Sequence, residues 1–411
     1  MSELINNTSQ RQERLLLFAE LLIKGRDGNE LINKYRYFIT RATPADVIYI
    51  TDALMQKDYD INTLKPYINK IINVLFKPLQ SYKWDKPSDG GFIHTMMLEN
   101  AALTARLNTL KPLIKEINGL EQGTEHYNQV RKSLRSGFEE LQVFNLHYVK
   151  KENILFPYLE KAWPDYRCLG LMWSFDDDIR RYLKSCIQHC SQEIINLRSF
   201  NYDTGKLYFL MSAIRFREDH ILFPAAIKTI TRTQAASMLE QANEQGYAFI
   251  ETPEPDLVRE NEKATTVAGL TSLADRLEGV IQFDTGRIQI TQLERILNVL
   301  PVDITYIDEN DVVRYYSAGP HRIFPRSKAV IGRTVQNCHP PESIETVNKL
   351  LNDFKNGSKN NESFWIQIRG QFLLINYYAI RDEKGKYKGT VEVSQNITEL
   401  RQLNGEKRLL S

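Results

Sequence analysis

The sequence lacks most of the features that mark specialised classes of protein. No apolar run approaches the roughly 20 residues needed to cross a bilayer. The opening stretch, MSELINNTSQRQER, has no apolar signal region, so neither membrane insertion nor export is expected. Cysteine is scarce: Cys168, Cys186, Cys190 and Cys338 show no framework spacing, which excludes a disulfide scaffold and points to reduced thiols in a cytoplasmic protein. An excess of one charge is also missing. Lys and Arg number 53 against 51 Asp and Glu, a net charge of +2, too close to balance for a nucleic-acid surface. What is present is 42% hydrophobic and 25% charged residues over 411 positions, enough for several domains, each with its own core.

The hydrophobic pattern divides the chain. Residues 1–82 read as a small helical domain: Arg14 to Lys24 is leucine-rich, Thr43-Pro44-Ala45-Asp46 has the form of a helix start, and Leu64 to Leu79 is apolar-periodic. From 88 to 245 the pattern is helical throughout, with expected helices over Ile93–Ile117, Thr124–Ala162, Cys168–Arg198 and Thr204–Phe223. Four long helices with short connections predict an up-down-up-down four-helix bundle. An internal repeat supports two similar hairpins: His147-Tyr-Val-Lys-Lys-Glu152-Asn-Ile-Leu-Phe-Pro157 matches Ile214-Arg-Phe-Arg-Glu218-Asp219-His-Ile-Leu-Phe-Pro224. Residues 246–278 are proline-bearing, charged and poor in apolar residues, the composition of a linker. Over 279–411 alternating strands appear, in the order two strands, helices, three strands, which predicts an α+β domain with a five-stranded antiparallel sheet. The expected fold class is therefore multidomain, α followed by α+β.

Topology decides which polar residues of a bundle can meet. The start of the first helix lies beside the end of the second, the start of the third and the end of the fourth. Those places hold His94 with Glu99, His147 with Glu152, Asp176 with Asp177, and Glu218 with Asp219. His126 and His189 fall well away along the helix axes. Imidazole and carboxylate together suit iron, manganese or zinc, and a metal explains why charged groups enter a bundle interior. The candidate ligands are His94, His147, Glu152, Asp176, Glu218 and Asp219. Asp176 and Asp177 also fit a simpler role at a helix start, where negative charge is favoured.

His94-Thr-Met-Met-Leu-Glu-Asn, the two repeat copies, and Met172-Trp-Ser-Phe-Asp-Asp-Asp-Ile-Arg resemble the hemerythrin-like, HHE cation-binding proteins. The narrower resemblance is to a bacterial subgroup in which such a bundle follows a small helical domain and precedes a PAS domain. It implies non-haem iron, one or two ions, or zinc. Gly91-Phe92, Asp176 and Ile214 stand where relatives often carry histidine or His-Pro, leaving a mononuclear, an altered dimetal or a degenerate site as alternatives.

Cys186-x-x-x-Cys190 places two thiols on one helical face, a spacing for a metal or redox pair that more often means core packing. The C-terminal run from Leu300-Pro-Val-Asp through Ile331-Gly-Arg-Thr-Val-Gln-Asn-Cys-His-Pro-Pro to Ser394-Gln-Asn-Ile-Thr-Glu-Leu resembles a PAS domain, which implies a sheet cupping a small molecule or haem. Cys338 and His339 are the candidate haem ligands; the alternative is that Pro340-Pro341 starts a helix after a fixed turn. Asn396 replaces the aspartate usual in the closing Asp-Ile-Thr.

The domain pairing predicts a cytoplasmic sensor whose bundle metal responds to oxygen, nitric oxide or redox state, with PAS signalling. No kinase, cyclase or DNA-binding motif follows, so output is expected through a protein partner or a homodimer formed by the PAS domain, with no nucleic acid or membrane involved. The alternatives are metal-centred chemistry, such as oxygen or peroxide reduction or iron storage and delivery, and an interaction scaffold with a degenerate metal site.

Overall fold

The computed structural model describes residues 2–406 except 58, 89, 253–278, 321, 325 and 369, with residues 2–7 described by their backbone alone. Most of the expected linker lies outside the described residues, as do Arg369 and the last five residues. The chain divides into two compact units, Met1–Asp256 with Pro340–Glu342, and Leu257–His339 with Ser343–Ser411.

In the first unit, helices α1 (Ser2–Ile23), α2 (Gly28–Ile39), α3 (Pro44–Met55), α4 (Ile61–Val74) and α5 (Phe76–Gln80) come first. Their starts follow from local chemistry. Asp27 and Asp60 accept from the N–H groups of Glu30 and Thr63 at 2.9 Å each, and Thr43 with Asp46 forms a capping box ahead of Pro44. Their apolar faces, Leu15, Phe18, Ile50, Leu64 and Ile71 among them, share one buried core with Leu103, Phe138, Phe175 and Ile214 of the later helices.

The later helices are α6 (Phe92–Ile117), α7 (Glu125–Leu141), α8 (Asn145–Lys150), α9 (Phe156–Ala162), α10 (Cys168–Ser191), α11 (Leu197–Arg217), α12 (Phe223–Ala226) and α13 (Arg232–Gln245). α6 packs on α7, α7 on α10, α10 on α11 and α11 on α6. The helix expected over 124–162 varies in pitch, with a 3₁₀ turn at Gln142–Phe144 and a π turn at Lys151–Leu155. A second π turn, Glu218–Leu222, joins α11 to α12. The two π turns are the two repeat copies, and proline is their cause. Pro157 and Pro224 cannot donate to the carbonyl four residues back, and their rings crowd it. The preceding turn widens, so that Phe156 N–H reaches Lys151 C=O and Phe223 N–H reaches Glu218 C=O. α11 begins earlier than expected because Asn196 caps it, accepting from Ser199 N–H at 3.3 Å, and α10 stops at Ser191.

In the second unit a hairpin of β1 (Val280–Phe283) and β2 (Gly286–Gln289) leads into α14 (Ile290–Val299). The main sheet has β3 (Asp303–Asp308), β4 (Val313–Tyr316), β5 (Asn361–Ile368), β6 (Gln371–Arg381) and β7 (Tyr387–Asn396), ordered β4-β3-β7-β6-β5 and antiparallel throughout. The β3–β4 turn is held by Asp308, whose carboxylate accepts from Asn310 and Val312 N–H at 2.9 and 3.0 Å, and by Asp311 at φ 63. α15 (Ile344–Lys355) puts Leu351 against Ile307, Val313 and Val330 on one face of the sheet. Asn396 accepts from the N–H and hydroxyl of Thr398 at 3.0 and 2.6 Å, so asparagine closes the final turn without an ion pair.

Candidate functional site

The repeat segments and the facing part of α6 and α10 bring a set of ionisable groups into the interior of the helical unit. His147, Glu99, Lys150, Lys151, Asp176 and Glu218 have no exposed surface. His147 lies between two carboxylates: Nδ1 is 2.8 Å from Glu99 and Nε2 is 3.0 Å from Glu218. Its ring stacks on Phe144, centroids 4.5 Å apart. Lys151 donates to Glu218 at 2.5 Å and to Asp176 at 2.9 Å. Lys150 donates to Glu99 at 2.5 Å and to the Gly246 carbonyl at 2.7 Å. Arg180 donates from Nη2 to both oxygens of Glu152 at 2.9 Å and from Nη1 to Asp177 at 2.8 Å. Asn100 bonds Glu218 and Asp219, both at 3.0 Å.

Burial alone disfavours every one of these charges, and the partners decide which survive. Burial draws His147 down, but Glu218 and Glu99 outweigh it and hold the imidazole above its ordinary value. Lys151 is likewise raised, because Asp176 and Glu218 overcome its burial. Glu218 is brought down to about 2 because Lys151 and His147 outweigh its desolvation. Glu99 is also lowered, His147 and Lys150 overcoming its burial. For Asp176 desolvation wins over Lys151 and pushes the carboxyl up to about 8, and its Oδ2 has no hydrogen-bond partner among the described residues. Burial also lifts Asp219 to about 6 against the Asn100 bond.

Of the residues singled out in the sequence, His147, Asp176 and Glu218 are joined through one network. Asp219 enters it through Asn100, and Glu152 is turned to Arg180. His94 is half-buried at the start of α6 and accepts from Gly90 N–H at 2.9 Å. His126 pairs with Glu116 at 2.8 Å and His189 with Asp203 at 2.9 Å, both outside the network. Cys186 and Cys190 are core residues, fully buried with thiols pushed up to about 12 by desolvation, so they are not a reactive pair.

The residues do not fit a divalent metal as they are arranged. Both nitrogens of His147 face carboxylates, and the Glu218 and Asp176 oxygens meet an ammonium rather than converging on a common centre. Among the described residues, no group of three His, Cys, Asp or Glu side chains is arranged to hold an ion. The cations Lys150, Lys151 and Arg180 are what attention to histidine and acid overlooked. One signal for them existed: in the repeat, Lys151 occupies the position of Glu218.

The second unit has its own largely buried polar row. Sheet register sets Tyr377, Glu392 and Thr305 side by side across β6, β7 and β3 on the face that carries the core. Ser394 donates to the Glu392 carboxylate at 3.1 Å, and burial beside that carboxylate pushes the Tyr377 hydroxyl well above its ordinary value. Arg326 approaches Glu392 only to 3.9 Å, and its Nε has no hydrogen-bond partner among the described residues. Between these groups lies a cavity of about 20 Å³, also lined by Ile307, Val313 and Cys338, room for about one water molecule. His339 donates from Nδ1 to the Val335 carbonyl at 2.8 Å, and burial lowers its basicity. In this arrangement the cavity is smaller than a haem, and His339 Nδ1 is taken up by the Val335 carbonyl.

The comparisons with known proteins bear on this second unit. No curated protein matches the chain. Among solved structures, a C-terminal domain from Streptococcus mutans is 30% identical, with 31% of this chain and 99% of that one covered and a TM-score of 0.30. The PAS domain of a Colwellia psychrerythraea protein is 16% identical, covering 27% and 98%, with a TM-score of 0.22. A sensory box sensor histidine kinase from Vibrio cholerae is 10% identical, covering 32% and 98%, with a TM-score of 0.21. A family model described as PAS domain matches residues 293–398. Residues 293–398, holding the five-stranded sheet and its polar row, are a PAS domain.

Proposed function

We propose that this chain is a cytoplasmic sensory or regulatory protein whose PAS domain recognises a small polar molecule. The observation that carries this reading is the loose Arg326–Glu392 pair, 3.9 Å apart with a guanidinium N–H left without a partner among the described residues. Burying such a donor unpaired costs free energy that a ligand acceptor would recover. A molecule offering an acceptor to Arg326 and a donor to Glu392 fits between them, with the cavity opening as the pair parts. Thermal-shift screening of the full chain against amino acids, small carboxylates and sugars tests this. At least one class is expected to raise the melting temperature of the wild type and not of Arg326→Ala. Equal shifts in both proteins, or none in the wild type, would count against the site. Free buried thiols support the cytoplasmic reading, and no helix among the described residues is long and apolar enough to cross a membrane.

For the helical unit, the resemblance to a hemerythrin-like bundle is retained as a reading of its topology. Of the alternatives for its role, an interaction scaffold with a replaced metal site is favoured over metal-centred chemistry by the Lys151 contacts. Output through a homodimer is supported by the sheet face opposite the cavity. There Trp365, Tyr378 and Ile380 are 64%, 43% and 40% exposed, beside the half-buried Leu374, Val391 and Val393. A face of that kind is better covered than left in water. Trp365→Glu is expected to convert a dimer to a monomer in analytical ultracentrifugation; a wild type that is already monomeric at high concentration would dispose of this reading.

A further inference from the structure

Two facts about the helical unit meet at one residue. The internal repeat makes residues 151 and 218 equivalent: each stands six residues before the proline, at the start of a π turn. Across the interior the two equivalent positions touch, Lys151 Nζ to Glu218 at 2.5 Å. A repeat with glutamate in both copies would set two carboxylates against each other, with Asp176 and His147 alongside, and would require a cation or a shared proton between them. The chain places lysine in one copy instead.

We infer that the Lys151 ammonium is the tethered counter-cation of this interior, standing where a divalent metal ion would otherwise be needed, so that the helical unit folds and persists without metal. This rests on the reading of the unit as a bundle with a replaced site, and is independent of the PAS ligand.

The surrounding geometry agrees. Lys151 bridges Glu218 and Asp176. His147 bridges Glu218 and Glu99, and Lys150 returns to Glu99. The cations are spaced between the acids, so Glu99, Asp176 and Glu218 each meet at least one ammonium. Tyr148 stands under the lysine, its ring centroid 4.8 Å from Nζ, a contact that favours an organic ammonium. A metal entering here would have to expel Nζ from two carboxylates and compete with the imidazole bonds.

The consequence is a conversion. Lys151→Glu removes the internal cation and restores the acid to both repeat copies, so the variant should demand an ion that the wild type does not. Three full-length proteins decide the matter: wild type, Lys151→Glu and Lys151→Met, expressed in iron- and zinc-replete medium. Metal is measured by mass spectrometry after dialysis, and melting is followed by helical circular dichroism with and without added Fe²⁺, Zn²⁺ or chelator. The wild type is expected to carry substoichiometric metal and to melt at the same temperature in chelator. Lys151→Met should melt lower, by on the order of 10 °C, and stay indifferent to metal. Lys151→Glu should melt lower in chelator and recover on addition of Fe²⁺ or Zn²⁺, with stoichiometric binding. A wild type that retains a full equivalent of metal, or that chelator destabilises, overturns the inference. So does a Lys151→Glu protein that binds metal no better than Lys151→Met. Should Lys151→Glu be unfolded without metal, its refolding on metal addition still supports the inference, and failure to refold counts against it. The wild-type metal content also separates this inference from the bundle reading, which a metal-bearing wild type would leave standing.

Discussion

Replacing Glu218 with alanine is expected to cost the helical unit about 3–5 kcal/mol, the usual effect of removing one partner from a buried ion pair. The loss is large because Glu218 is shared. Its carboxylate takes Lys151 on one oxygen and His147 and Asn100 on the other. All of its surface is buried, so water does not replace it at these sites. Against a typical total stability of roughly 5–15 kcal/mol, such a loss brings the unit close to unfolding near body temperature. Urea denaturation followed by far-ultraviolet circular dichroism reads it, the helical signal coming chiefly from this unit. His147→Ala should cost a comparable amount, and the double variant less than the sum of the two, since they break one shared contact. Additive losses, or a Glu218→Ala cost under about 1 kcal/mol, would mean that the network is wet or that its members act singly.

The second large effect is on pH dependence, and its sign follows from which state binds more protons. Glu218 has its carboxyl lowered from 4.5 to about 2, so between these values the unfolded chain holds the proton and stability rises with pH. Asp176 is moved the other way, from 3.8 to about 8. In that interval the folded state holds the proton and the unfolded chain has released it, so stability falls as pH rises. His147, raised above 6.5, adds to the fall above that pH. A tenfold difference in proton affinity between the folded and unfolded states is worth about 1.4 kcal/mol. The unit is thus expected to be most stable in weak acid and to lose stability steadily toward pH 8. Asp176→Asn should abolish most of this decline, because asparagine can still accept from Lys151 and carries no proton to lose. Melting temperatures from pH 4 to 9 for the two proteins check it. A wild type whose melting point climbs between pH 5 and 8, or a variant that declines in parallel, would contradict the assignment to Asp176.

Much of the architecture is legible in the residues. The helices of the first unit are marked by apolar periodicity and, for α3, by Thr43-Pro44-Ala45-Asp46 at its start. The π turns are implicit in the two prolines of the repeat, although periodicity alone reads through them as ordinary helix, because only the short α9 and α12 follow them to reveal the shift in phase. The PAS strands are written as alternation broken by turn residues. The site is harder. Topology gathers His147, Asp176 and Glu218, which the structure joins, yet it offers His94 and Glu152 equal standing. Which way a side chain leaves its helix, and what meets it, is decided by rotamer and neighbour.

Where helices and strands run is settled within the chain itself, because hydrophobic spacing, capping residues and proline act over a few positions. The repeat that makes Lys151 and Glu218 equivalents is written there too. That these two meet in a water-free interior follows from the folded arrangement alone. The energy of a charge depends on what replaces its water, and that is a property of neighbours distant in the chain. Lysine is a residue type that ordinarily stays in water, and at 151 it becomes an internal cation only once Asp176 and Glu218 are folded around it.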